Sequence, residues 1–203
     1  MKKKPVTITI EVPEKPKAAG RKIIIFDTET TDLVKPGLVK LELQPRIVEF
    51  AAIALDFETM VEAAHVSFRC NPGVPIPAES SAITKIYDKD VANELPFSSR
   101  LSDVSSIFLG ADTLVGHNID FDTQMLMFEL MRSGMVKRFP WPQKHICTVQ
   151  ASSQLSKKWL KLEELYAMAT GKPLVGAHGA LADARATAVS LRWLVAKKHL
   201  KLS

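Results

Sequence analysis

The run Ile23-Ile24-Ile25-Phe26, followed at once by Asp27-Thr28-Glu29, constrains this chain more than any other feature. A short β-branched and aromatic run suits a strand buried on both faces of a sheet. Side chains two apart on an extended chain point the same way, so Asp27 and Glu29 share a side. Two carboxylates at the end of a buried strand repel each other and lose hydration. They need a cation or a shared proton. Mg²⁺ or Mn²⁺ is the natural partner of hard oxygen ligands. Taken alone, the segment also fits a polar turn after a strand.

The rest of the chain must supply the frame. Its 203 residues allow one domain with a full core, or one domain and a short appendage. Apolar residues at 46% and charged residues at 24% exclude a disordered chain. Two distant cysteines, Cys70 and Cys147, exclude a disulfide scaffold and suit reduced thiols in a cytoplasmic protein. No apolar run is long enough to span a bilayer. The start Met1-Lys2-Lys3-Lys4-Pro5 lacks the apolar stretch of a signal peptide.

The net charge of +5 is unevenly placed. Residues 1–22 carry seven Lys/Arg and two Asp/Glu, so the remainder is neutral. Within that remainder, residues 23–131 sum to −10 and residues 132–203 to +10. A basic tail over residues 1–21 and a folded domain over 22–203 follow. Most of these charges are ordinary solvated surface.

Local patterns place the elements. Val6-Thr7-Ile8-Thr9-Ile10 alternates like a short strand, and residues 22–26, 47–55 and 64–69 read as three more. Asn71 to Pro77 is a stiff loop. Short helices are expected around 80–85 and 88–93 and a longer one over 97–109. Residues 113–116 read as another buried strand. Phe121, Met125, Phe128 and Met131 follow at helical spacing and are expected in the core. Phe139-Pro140-Trp141-Pro142 breaks the chain. Helices are expected at 148–156, 160–170 and 180–198. The three tryptophans, Trp141, Trp159 and Trp193, are expected to anchor core or loops rather than to stack bases. Strands first, then alternating helix and strand, then helices describe an α/β sandwich on a mixed sheet.

Two further clusters carry chemistry. His117-Asn118-Ile119-Asp120-Phe121-Asp122 joins a strand to the Met/Phe helix. Both aspartates are favoured there by the helix dipole, and they point about 200° apart, so one at most faces a given site. His178 lies in a Gly-flanked loop, with Asp183 among alanines on the helix behind it. A neutral imidazole near pH 7 is suited to take a proton from an attacking water.

In order and separation the three clusters resemble the DEDDh family of 3′→5′ exonucleases, in particular the proofreading epsilon subunits of bacterial DNA polymerase III. Phe26-Asp27-Thr28-Glu29-Thr30-Thr31 is similar to the first motif, His117-Asn118-x-x-Phe121-Asp122 to the second and His178-x-x-x-x-Asp183 to the third. Ile47 to Ile53 is similar to the family's second strand. The resemblance spans about residues 22–198 and implies a ribonuclease H-like fold, a mixed five-stranded sheet flanked by helices. It implies that Asp27, Glu29, Asp122 and Asp183 are the metal-binding and catalytic carboxylates and His178 the general base. The family motif places its Asp directly after Phe, which selects Asp122 over Asp120. Thr28, Thr30, Leu33, His117 and Phe121 are the implied substrate contacts, with Leu33 wedged against the terminal bases. Asp32 stands where the family has Gly. Ile83-Thr84-Lys85-Ile86 stands where many members have Val-His-Gly-Ile, so Lys85 is expected to reach a phosphate.

The implied activity is metal-dependent 3′→5′ hydrolysis of phosphodiester bonds, releasing nucleoside 5′-monophosphates from single-stranded DNA. The implied cofactors are two divalent ions, Mg²⁺ or Mn²⁺, about 3.5–4 Å apart. The implied partners are nucleic acid 3′ ends, DNA over RNA, and a DNA polymerase. An RNA-trimming exonuclease resembling ribonuclease T stays open, as does a non-catalytic module on the same fold. The end at Ser203, soon after the last expected helix, suits a free-standing nuclease. The cations Lys137, Arg138, Lys144, Lys157, Lys158 and Lys161 are the candidates for tracking a phosphate backbone.

Overall fold

A computed structural model describes residues 21–37, 40–176 and 178–202. The strand expected at 6–10, and the basic tail up to residue 20, lie outside the described residues.

The buried run extends further than its apolar part. Strand β1 covers Lys22–Thr30 and carries Asp27 and Glu29 inside the strand rather than after it. Strand β2 (Ile47–Asp56) pairs with it antiparallel, and β3 (Glu62–Arg69) pairs antiparallel with β2. Strand β4 (Thr113–Gly116) lies parallel to β1 on its other side, and β5 (Lys144–Cys147) is parallel to β4. The sheet order is β3-β2-β1-β4-β5, a mixed five-stranded sheet flanked by helices. The β5 segment, Lys-His-Ile-Cys, is too short and too mixed to announce itself. Its partner β4 and the preceding Pro-Trp-Pro break set its place.

The helices are α1 (Ala78–Thr84), α2 (Asp88–Val91), α3 (Leu101–Phe108), α4 (Ile119–Arg132), α5 (Thr148–Ala151), α6 (Leu162–Thr170) and α7 (Ala180–Ala196). Several expected helices are shorter than their patterns, and in two of them part of the pattern is not α-helical. Residues 97–100 and 153–155 form 3₁₀ turns instead of continuing α3 and α5. Pro96, immediately before residues 97–100, lacks the N–H a preceding turn would use.

Strand alternation divides the core. On one face Ile24, Phe26, Phe50 and Leu114 pack against Val104 and Phe108 of α3 and Met125, Leu126 and Leu130 of α4. On the other, Ile23, Ile25, Ile53 and Val115 pack against Ala184, Ala188 and Leu191 of α7. The alanines let α7 lie close to the sheet. The Met/Phe stripe is core at Met125, while Phe121 and Phe128 are half-buried against it. Met131 is a correction: one turn further on, it has left the sheet and is 49% exposed.

Candidate active site

The same alternation that builds the core builds the site. Asp27 and Glu29 continue the Ile23, Ile25 row and face α7, where Asp183 waits in the first turn. Carboxylate oxygens of Asp27, Glu29 and Asp183 all lie within 4.8 Å of one another. Thr28 belongs to the other row and faces α4. Its N–H and its hydroxyl both donate to Oδ1 of Asp122, at 2.9 and 2.7 Å. Asp122 is buried and Asp120 is exposed on the same helix, as the one-face argument requires.

A tight corner delivers Asp122. Gly116 ends β4 where a Cβ would meet Ile119 at 3.1 Å. Asn118 then takes a left-handed backbone, φ 65°, which Asn tolerates better than most residues. His117 turns its Nδ1 to the Thr148 hydroxyl at 2.9 Å, and burial lowers its pKa.

Burial and mutual repulsion raise the pKa of the carboxylates. Asp27 is raised well above the usual carboxylate range, by burial first and then by Asp122, Asp183 and Glu29. Glu29 is pushed up to about 8, by burial, Asp183 and Glu49. Asp122 is raised to about 7 by burial, against the pull of its bonds from Thr28. Asp183 is also raised, by burial. Its Oδ2 accepts the His178 N–H at 3.1 Å, while Oδ1 is buried with no hydrogen-bond partner. A buried carboxylate oxygen without a donor, next to two other carboxylates, fits a cation of hard character. The residues present therefore fit a divalent metal centre.

His178 is exposed and adopts φ 68°, uncommon for a residue other than Gly. Its backbone is bonded to Asp183, and the two residues line the same cleft. Leu33 is 73% exposed. Asp32 fixes the turn before it without the glycine of the resemblance: its Oδ1 accepts the Leu33 N–H at 2.8 Å and its carbonyl accepts the Thr30 hydroxyl at 2.8 Å. Thr28, Thr30, Leu33 and Phe121 line one cleft of about 310 Å³ with Ile83. His117 lines a different cleft with His178 and Asp183. Lys85, expected to reach a phosphate, is exposed and ends α1 in a left-handed conformation, with its Nζ on the Ala82 carbonyl of its own helix. The exposed Ile83 lies on the cleft.

One site residue escaped the sequence. Glu49 on β2 sits opposite Glu29 in the sheet. Its Oε2 accepts the Ala180 N–H at the start of α7 at 2.9 Å, and its Oε1 meets Arg69 Nε at 3.2 Å. The contact is 131 residues away in sequence. A lone Glu in an apolar run, Ile47-Val48-Glu49-Phe50, was its only signal. Trp159 is a correction: expected as an anchor, it is 77% exposed.

Comparison with known proteins agrees with this architecture. Residues 24–191 match the Exonuclease family, RNase T. The chain is 32% identical over 164 residues to the DNA polymerase III subunit epsilon of Treponema pallidum, covering 79% of this chain and 70% of that protein. The nuclease domain of 3′hExo, a DEDDh family member, superposes with a TM-score of 0.70 at 19% identity, covering 92% and 98% of the two chains. Exonuclease X superposes at 0.62 and 23% identity, over 88% and 94%. Among the described residues no helix is long and apolar enough to cross a membrane. The chain thus belongs to the Exonuclease family, with the ribonuclease H-like fold of the solved nucleases it resembles.

Proposed function

We propose that this hydrolase removes nucleoside 5′-monophosphates from the 3′ end of single-stranded DNA, with Mg²⁺ or Mn²⁺ held by Asp27, Glu29, Asp122 and Asp183. The observation that carries this reading is the cluster of half-buried carboxylates with a partnerless Asp183 oxygen beside an exposed histidine. Two bound divalent ions would neutralise the phosphate, lower the pKa of an attacking water and stabilise the leaving 3′ oxygen.

The chain's own groups do the rest. His178 takes the proton of the attacking water on a ring nitrogen and releases it to solvent, which its exposure permits. Thr28 fixes Asp122 through two hydrogen bonds, so that carboxylate does not have to reorganise. The cleft of Thr28, Thr30, Leu33 and Phe121 receives the terminal nucleoside. The similarity to a polymerase III epsilon subunit favours DNA over RNA and makes a polymerase a candidate partner.

Matched 3′-labelled single-stranded DNA, duplex DNA and RNA should be digested with Mg²⁺ or Mn²⁺ and with EDTA. We expect single-stranded DNA to be shortened one nucleotide at a time, and EDTA to stop it. Asp27→Asn and His178→Ala should each fall by at least about a hundredfold with folding retained. Near-wild-type digestion by either variant would overturn the residue roles, and faster RNA digestion would overturn the DNA preference.

A further inference from the structure

Two clefts abut the carboxylate cluster and share no residue. One, of about 310 Å³, meets it at Glu29. The other, of about 480 Å³, meets it at Asp183 and His178 and is lined by His117, Trp159, Leu160 and Leu174. We propose that this second cleft stacks a nucleobase of the substrate strand on the 5′ side of the scissile phosphate, with Trp159 as the platform. The proposal rests on the exonuclease reading above.

The local structure places the indole without hiding it. Leu160 is buried with Leu165 and Leu194, which anchors the chain at the very next residue. Trp159 itself is 77% exposed and contributes little to the core. A large aromatic held in place beside an apolar cavity offers a flat face to any base, because every base has a π-face.

Charge decides which part of the strand lies there. A strand cut at its 3′ end has one nucleoside beyond the scissile phosphate and a chain of phosphates before it. The first cleft is lined by Glu29, Asp32 and Glu79, which repel a run of phosphates. It suits the terminal nucleoside, whose own 3′ oxygen carries no phosphate. Trp159 stands between exposed Lys157, Lys158 and Lys161. Lys158 pairs with Glu164, and Lys161 lies 3.7 Å from Glu163. Such exposed pairs are weak and can be exchanged for phosphate contacts. Lys161, Glu163 and Asp183 border this cleft, and Val149, Trp159, Leu160, Leu162 and Leu174 make the rest of its lining mainly apolar, which suits a base rather than a phosphate.

The test is an abasic scan of a single-stranded DNA oligonucleotide at the first, second and third positions from the 3′ end. Equilibrium binding in EDTA and KM in Mg²⁺ are measured for wild type, Trp159→Ala and Trp159→Phe. With the natural oligonucleotide, Trp159→Ala should weaken binding and raise KM by about five- to tenfold, and Trp159→Phe should keep most of the affinity. An abasic second or third position should weaken wild type by a similar factor and Trp159→Ala by less than about twofold. Additive losses, an unchanged Trp159→Ala, or coupling at the first position alone would overturn the assignment. Loss of nucleotides in Mg²⁺ by wild type tests the exonuclease reading separately, since binding in EDTA needs no hydrolysis.

Discussion

Glu29 shows how one residue trades stability for a site. Its carboxyl titrates at about 8 in the fold against an ordinary 4.5. Between those values the folded state binds a proton that the unfolded state has lost. Stability therefore falls as pH rises through this window, because its slope follows the protons bound unfolded minus those bound folded. In EDTA at pH 8, Glu29→Gln should melt higher than wild type by several degrees, at about 2–4 °C per kcal/mol for a chain of this size. The gap should close towards pH 5, where wild-type Glu29 is protonated, and saturating Mn²⁺ should raise the melting temperature of wild type more than that of the variant. Calorimetric scans at both pH values decide it. A wild type that melts higher than Glu29→Gln at pH 8 in EDTA would show that burial does not strain this carboxylate.

At the scale of elements, the site depends on how α7 meets the sheet. Glu49 of β2 accepts the first N–H of α7 and is itself held by Arg69 of β3. Asp183 lies three residues along that helix and His178 two residues before it. Glu49 is thus placed to orient both without touching substrate. Glu49→Ala should weaken Mn²⁺ binding about tenfold by titration calorimetry, in the range seen when supporting contacts of metal ligands are lost. Glu49→Gln keeps an acceptor for Ala180 and should recover most of the affinity. Equal losses in both variants would mean that Glu49 acts through its charge and not through the helix.

Over the whole molecule, charge is sorted by distance along the chain. The excess of +5 belongs to the first 22 residues, while the domain combines an acidic part with a basic one. The acidic part supplies Asp27, Glu29 and Asp122, which suit cations; the basic part supplies the lysines around Trp159. Deleting residues 1–20 should weaken DNA binding severalfold at low salt and leave the rate of the bound complex unchanged. The difference should vanish near 0.5 M salt in an anisotropy titration. An unchanged low-salt affinity would remove the tail from nucleic-acid binding.

Much of this was legible in the chain itself. The isoleucine run announced β1, period two placed Asp27 and Glu29 on one side, and the small-residue frame around His178 and Asp183 marked the start of α7. These are local regularities, fixed by backbone geometry and by which side chains tolerate burial. Tertiary structure decided the rest. It drew β5 from a segment with no strand pattern, because an unpaired β4 edge offers it hydrogen bonds. It brought Glu49 to a helix 131 residues away. It turned Lys85 back onto its own helix and left Trp159 in the open. Such contacts depend on which surfaces meet after the sheet has formed, and no periodicity within a short window carries that information.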